Sequence, residues 1–257
     1  DSIAQSLGLA REDVVLSFMP GSGCYGHNGA DDAAFEAALV AMDRPNTPVL
    51  LKWTREDEHA WEPYGPASAT ELAAKVTPEG RITAFSAEAI GGTFRGRPRG
   101  GTGMAGPAKL LANHFRATPV GPHEGAPNMN RHGGLHRNLV PIYDFAHTRF
   151  VKNLVPVMPL RTSALRCLGA ALNVFAIESF LDEIARDHGL DPFALRRAHL
   201  SDGRALQVLD HLEQALEARP LASGAGRGIA YAQYKNEMTR VGAAVDLTVS
   251  DAAQIRI

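Results

Sequence analysis

Chemistry-bearing residues are densest in Gly21-Ser22-Gly23-Cys24-Tyr25-Gly26-His27-Asn28-Gly29, where four glycines alternate with a thiol, a phenol and an imidazole. A loop so poor in Cβ atoms lets its backbone approach a ligand closely and take positive φ where needed. It lies between the apolar run Val14–Met19 and an alanine-rich helical pattern opening at Asp31-Asp32. At a strand-to-helix junction its N–H groups can face an anionic group or an oxo ligand. No Lys-Ser or Lys-Thr follows, so it is not a nucleotide P-loop. Cys24 and His27 are the residue types of a thiolate–imidazole pair, but neighbours on one loop rarely reach that geometry. The plain alternative is a glycine-rich turn around a buried tyrosine.

A second constellation is Pro159-Leu160-Arg161-Thr162-Ser163-Ala164-Leu165-Arg166-Cys167-Leu168-Gly169, just ahead of a long helical pattern. An arginine at a helix N-terminus adds a permanent cation and a fork of donors to the helix's own positive end. That combination suits an anionic group or a transition state gaining negative charge. The alternative is a structural arginine covering the helix end through a salt bridge.

The chain has ten histidines, of which His114, His123, His132 and His136 fall in an irregular region. His132 and His136 have helical spacing, but Gly133-Gly134 between them makes a poor helix, and solvated loop histidines are the simpler reading than metal ligands. Glu62, Glu124 and Asp144 form no paired-carboxylate pattern. The residues therefore indicate no metal site built from side chains.

The elements that must position these groups follow from periodicity. Ser2–Leu9 reads as a helix closed by Gly8, and Val14–Phe18 as a short buried strand entering the glycine loop. Ala33–Met42 is helical, with Phe35, Leu39 and Met42 on one face and Asp31 or Asp32 as its cap. Val49–Trp53 reads as a strand, followed by a short helix whose cap and early acids are Thr54-Arg55-Glu56-Asp57. Leu72–Val76 and Arg81–Ile90 flank Thr77-Pro78-Glu79-Gly80 and predict a hairpin.

The stretch 91–137 is irregular apart from a helical Ala108–Phe115, and Thr148–Pro156 is extended. A long helix follows Gly169 with Val174, Ile177, Leu181 and Ile184 in one stripe. Further helices open at Asp191-Pro192 and span Asp202–Leu216, and Gly228–Tyr234, Val241–Val249 and Gln254–Ile257 alternate like an antiparallel meander. Strands, helices and strands again, without βαβ alternation, predict an α+β fold of mixed and antiparallel sheets with packed helices. The expected division is 1–160, holding the glycine loop and the irregular segment, and 161–257, helices followed by strands.

With 257 residues, 45% of them hydrophobic, the chain can bury one large or two modest cores. Its net charge of −2 leaves no basic surplus for nucleic acid. No apolar run approaches the roughly 18 residues of a membrane span. The two cysteines, Cys24 and Cys167, do not require a disulfide. Both ends fall inside predicted elements, which reads as a piece of a longer polypeptide.

Taken jointly, these segments resemble the molybdenum-cofactor-binding large subunit of the xanthine oxidase family, in the bacterial branch of isoquinoline 1-oxidoreductase and nicotinate dehydrogenase. The resemblance rests on Gly21–Asp32, on Pro48-Val49-Leu50-Leu51-Lys52-Trp53-Thr54-Arg55-Glu56-Asp57-Glu58, and on Ser163–Gly169 running into Asn173–Phe180. Gly189-Leu190-Asp191-Pro192-Phe193-Ala194-Leu195-Arg196-Arg197 and Gly226-Arg227-Gly228-Ile229-Ala230-Tyr231 complete it. These runs span nearly the whole chain in order.

The resemblance implies that Gly21, Gly23, Cys24, Tyr25 and Gly26 line a molybdopterin cofactor, in its cytosine dinucleotide form. It places the family's substrate-facing arginine on Arg166. It implies hydroxylation of an electron-poor carbon of an N-heteroaromatic or an aldehyde, with electrons leaving through a small [2Fe–2S] subunit and onward to a cytochrome c. A non-catalytic structural or subunit-docking domain of the same fold is the alternative. Position 167 is cysteine where most members have glycine. The Arg-Cys pair also occurs in the copper-bearing carbon monoxide dehydrogenases, but the flanks Ala164-Leu165 and Leu168-Gly169-Ala170 do not continue their pattern. The family's catalytic glutamate, in a Gly-x-Gly-Glu segment, has no counterpart here, so the piece alone is expected to lack cofactor and activity. The family occurs in the cytoplasm and on the periplasmic face, which leaves the compartment open.

Overall fold

The computed structural model describes residues 1–21, 23, 31–98, 105–121 and 125–257. They form two units. One holds 1–67, 91–129 and 154–168; the other holds 68–90, 130–153 and 169–257.

In the first unit, helix α1 (Ser2–Leu7) closes at Gly8 in the left-handed region, φ 68°. Helix α2 (Asp31–Asp43) buries Asp32 and Phe35. Helix α3 (Arg55–Trp61) opens on a capping box in which the Thr54 hydroxyl accepts the Asp57 N–H and the Asp57 carboxylate accepts the Thr54 N–H. The expected helix over Ala108–Phe115 resolves into two 3-10 turns, Pro107–Lys109 and Leu111–Phe115. Asn113 fastens this stretch, its amide donating to Ser6 Oγ at 2.8 Å and to the Pro107 carbonyl at 3.0 Å.

Two expected strands are absent. Val14–Phe18 and Val49–Trp53 carry no ladder, and their apolar side chains reach solvent, Phe18 at 90% exposure and Leu50 at 96%. An apolar run marks a segment suited to a sheet, but a strand exists only where a neighbour supplies its hydrogen bonds.

The second unit carries two three-stranded sheets and three helices. Strands β1 (Ser68–Val76) and β2 (Ile82–Gly91) form the expected hairpin, with the Thr77 N–H donating to the Arg81 carbonyl at 2.9 Å. Strand β3 (His147–Leu154) completes the order β1-β2-β3. Phe85 of β2 stacks on Phe145 at 4.7 Å between ring centres and lies near Phe150 and Phe180.

Helix α4 (Ala170–Asp187) buries Asn173, Ile177, Glu178, Leu181 and Ile184, close to the predicted stripe. Helices α5 (Pro192–Arg197) and α6 (Gly203–Glu217) start on Asp191 and Asp202, whose carboxylates accept N–H groups of the first turn. Strands β4 (Ala225–Gln233), β5 (Arg240–Val249) and β6 (Ile255–Arg256) form the antiparallel meander, with Ile229 opposite Ala244. The architecture is α+β, as predicted.

A buried ion network binds α4, α5 and β4. Glu178 accepts from Arg196 Nε at 2.9 Å, from the Tyr143 hydroxyl at 2.8 Å and from the Tyr231 N–H at 2.8 Å. Arg196 also donates to Asp182 at 2.7 Å and to the Ile229 carbonyl at 3.1 Å. Every charge in this network thus has a partner, which is the condition for burying one. No helix among the described residues is long and apolar enough to cross a membrane.

Candidate functional site

The glycine loop enters the described structure at its base. Gly23 holds φ 80°, in the left-handed region expected of a glycine turn. Cys24, Tyr25 and Gly26 lie outside the described residues, as does His27. Where the loop meets α2, Asp31 faces Arg97 at 3.8 Å, and burial raises its carboxyl above the usual range against the pull of Arg97.

Asp32 is buried and divides its carboxylate between two segments. One oxygen accepts the Leu111 N–H at 2.8 Å, and the other accepts Arg161 Nη1 at 2.8 Å. Arg161 also donates to the carbonyls of Lys109 and Trp61. Sequence periodicity assigns Asp32 the role of a helix cap. In the structure it lies inside α2 and joins the loop base to the segment that leads to Arg166. An acidic residue at a helix start is the only local signal, and it does not reveal a partner 129 positions away.

From Arg161 the chain runs beside Tyr64, whose N–H donates to the Arg161 carbonyl at 3.0 Å and whose carbonyl accepts the Ser163 N–H at 2.9 Å. Gly96 backs onto this stretch so closely that a Cβ there would collide with the Thr162 carbonyl oxygen. Among the described residues, Ser163 Oγ and Thr93 Oγ1 are buried without hydrogen-bond partners.

Arg166 itself is exposed, as is the free thiol of Cys167. Cys167 and Leu168 hold φ 68° and 53°, unusual values for residues with a Cβ. The Leu168 N–H closes a turn onto the Leu165 carbonyl at 3.0 Å.

In the second unit the Gly169 N–H donates to the Gly134 carbonyl at 3.2 Å, and a Cβ on Gly169 would run into the Leu135 carbonyl oxygen. The described histidines of the irregular region serve local structure. His132 meets Glu237 at 3.0 Å, and His136 Nε2 donates to the Asn130 carbonyl at 2.9 Å while Nδ1 accepts from Lys152 at 3.1 Å. Burial and the Lys152 ammonium hold the His136 imidazole below its usual range.

Residues 122–200, which include the Arg166 turn, match the profile of a molybdopterin cofactor-binding domain. A nicotinate dehydrogenase subunit of Pseudomonas putida is 33% identical over 95% of this chain and 20% of its own length. What the chain matches is a segment of a molybdenum hydroxylase large subunit. The beta subunit of isoquinoline 1-oxidoreductase from Brevundimonas diminuta is 25% identical over 90% of the chain and 27% of its own length. An aldehyde oxidoreductase from Desulfovibrio gigas shares the fold, with a TM-score of 0.60 at 16% identity over 90% of the chain and 24% of that structure. The chain thus spans about a fifth to a quarter of the length of these relatives.

Gly21 has no atom within 4 Å of where a Cβ would stand, which leaves its backbone open to close approach.

Proposed function

We propose that this chain is part of a large subunit that hydroxylates an electron-poor carbon of an N-heteroaromatic or an aldehyde. In the net reaction a C–H bond is replaced by C–OH. Water supplies the oxygen, two protons are released, and two electrons pass to a [2Fe–2S] subunit and from there to a cytochrome c. When bound, molybdopterin, in its cytosine dinucleotide form, supplies the centre that accepts those two electrons. The observation that carries this reading is the match of residues 122–200, which include Arg166, to a molybdopterin cofactor-binding domain, together with the 33% identity to a nicotinate dehydrogenase subunit.

The chain's own residues have distinct parts in this reading. Gly21, Gly23 and Gly26 let the backbone approach the cofactor, and Cys24 and Tyr25 form part of its wall. Arg166 steadies the negative charge that develops on the heterocycle as the carbon is attacked, a contact that is stronger in the transition state than before it. The names of the relatives support this substrate class, since they refer to nicotinate, to isoquinoline and to aldehydes.

The test is expression of the complete large subunit with its partner subunits. Molybdenum content and dye-linked oxidation of nicotinate, isoquinoline, quinoline and aldehydes are then measured. Stoichiometric molybdenum with turnover of one of these compounds supports the reading. A folded assembly with neither would favour a purely structural or subunit-docking role.

A further inference from the structure

We propose that the outward face of the β4–β5–β6 sheet is a permanent docking surface for an apolar element of the same large-subunit polypeptide, outside residues 1–257. The inference rests on reading this chain as part of a large subunit, but not on the chemistry proposed for it. All the residues concerned belong to the second unit.

The register divides the sheet into two faces. Tyr231 stands opposite Gly242 and Ile229 opposite Ala244, and this side lies against the helices. Tyr231 and Ile229 are buried there, the Tyr231 N–H donates to Glu178 of α4, and a Cβ on Gly242 would come within 3.1 Å of Val208 of α6. The alternate positions Val241, Val245, Leu247, Val249 and Ile255 share the other face, since successive side chains of a strand point to opposite sides. Between 38% and 66% of each of these five residues is exposed. Opposite Val245 and Leu247 stand Gly228 and Gly226, and a Cβ on either glycine would meet no atom within 4 Å.

The charges lie the wrong way round for a face that ends in water. An antiparallel sheet with one solvated side alternates apolar-in and polar-out. Here every charged residue of the three strands, Arg227, Arg240, Asp246 and Arg256, falls by register on the helix side. Arg227 pairs there with Asp246 at 2.6 Å. The outward positions carry no charge at all. A contiguous apolar face marks a surface that another element covers. Surfaces that transient partners meet and leave are more polar, so a charge-free face calls for a permanent cover. The same polypeptide has the length to supply one, because the chain matches only 20% and 27% of its two relatives. Gly226 and Gly228 leave room along β4 for large apolar side chains of the covering element.

The test uses the complete large subunit in its assembly with the partner subunits. Val245→Cys and Leu247→Cys are made singly, and maleimide labelling of the peptide carrying each position is followed by mass spectrometry. Labelling is expected to be roughly a hundredfold or more slower than in urea, because it must wait for local opening. A diazirine analogue of leucine at position 247 then identifies the neighbour by light-induced cross-linking. The expected product is a cross-link within one large subunit, to a peptide outside residues 1–257. Labelling at the urea rate would overturn the inference. So would a cross-link to a partner subunit, or one that joins two large subunits and reports a second copy. Absence of molybdenum or turnover in the unsubstituted assembly would count against the proposed chemistry instead, and the labelling and cross-linking would still decide the packing.

Discussion

The Asp32 carboxylate and the Arg161 guanidinium meet at 2.8 Å, with 2% and 19% of the two side chains exposed. This ion pair joins α2, which begins where the glycine loop ends, to the segment that delivers Arg166. Asp32 also accepts the Leu111 N–H, and Arg161 spans the carbonyls of Lys109 and Trp61 through its two terminal nitrogens, while its Nε is buried without a partner among the described residues. Removing one partner of a buried pair leaves the other charge uncompensated, which costs about 3–5 kcal/mol. Asp32→Ala and Arg161→Ala are each expected to destabilise the protein on that scale in urea unfolding. The double variant should lose clearly less than the sum of the two. Additive losses would show that the pair is not coupled.

Arg166→Ala in the complete large subunit is expected to lower kcat by about 10²–10³, the typical value of one preorganised transition-state contact. The protein should remain folded, because Arg166 is exposed. Steady-state kinetics beside a circular dichroism melt make the comparison, and unaltered turnover would remove Arg166 from the chemistry.

Cys167→Gly is expected to stabilise the protein by about 0.5–1 kcal/mol. The left-handed backbone costs a residue with a Cβ roughly 1–2 kcal/mol, and the extra freedom of glycine in the unfolded chain returns roughly 0.5–1 kcal/mol of that. Thermal unfolding of the two forms measures the difference; a lower melting temperature for the glycine form would contradict the assigned strain.

Acid should weaken the second unit through His136. Its folded pKa lies below the unfolded value of about 6.5, so the fold favours the neutral ring. The stability this contributes is complete above that value and is lost as pH falls through the folded pKa. His136→Gln keeps a donor for Asn130 and an acceptor for Lys152 without a titrating proton. Unfolding free energies between about pH 8 and 5 should therefore fall less steeply in the variant, whereas parallel curves would exclude His136 as the source.

Local patterns were legible wherever the signal and its cause lie within a few residues. Thr54, Asp191 and Asp202 start helices through bonds to N–H groups two or three positions on, and the turn at 77–80 closes β1 onto β2. The α4 stripe was equally readable, since burial on one helix face imprints a period of 3.6. Val14–Phe18 and Val49–Trp53 misled for the opposite reason. Their composition suits a sheet, but pairing depends on a partner that composition does not name.

Residue order was enough for the family resemblance, the α+β class and the helices α3, α4, α5 and α6, because these follow from residue types at short and regular spacing, whereas the helix expected over Ala108–Phe115 and the capping role of Asp32 did not hold. It took the folded chain to show that Asp32 serves as an anchor for Arg161, that Asn173 grips Leu135 and Arg137, and that Cys167 and Leu168 sit in left-handed backbone. Each of these depends on a carbonyl or charge brought close from a distant part of the chain. A buried polar group must find its partner in space, and spacing along the sequence carries no record of which one it finds.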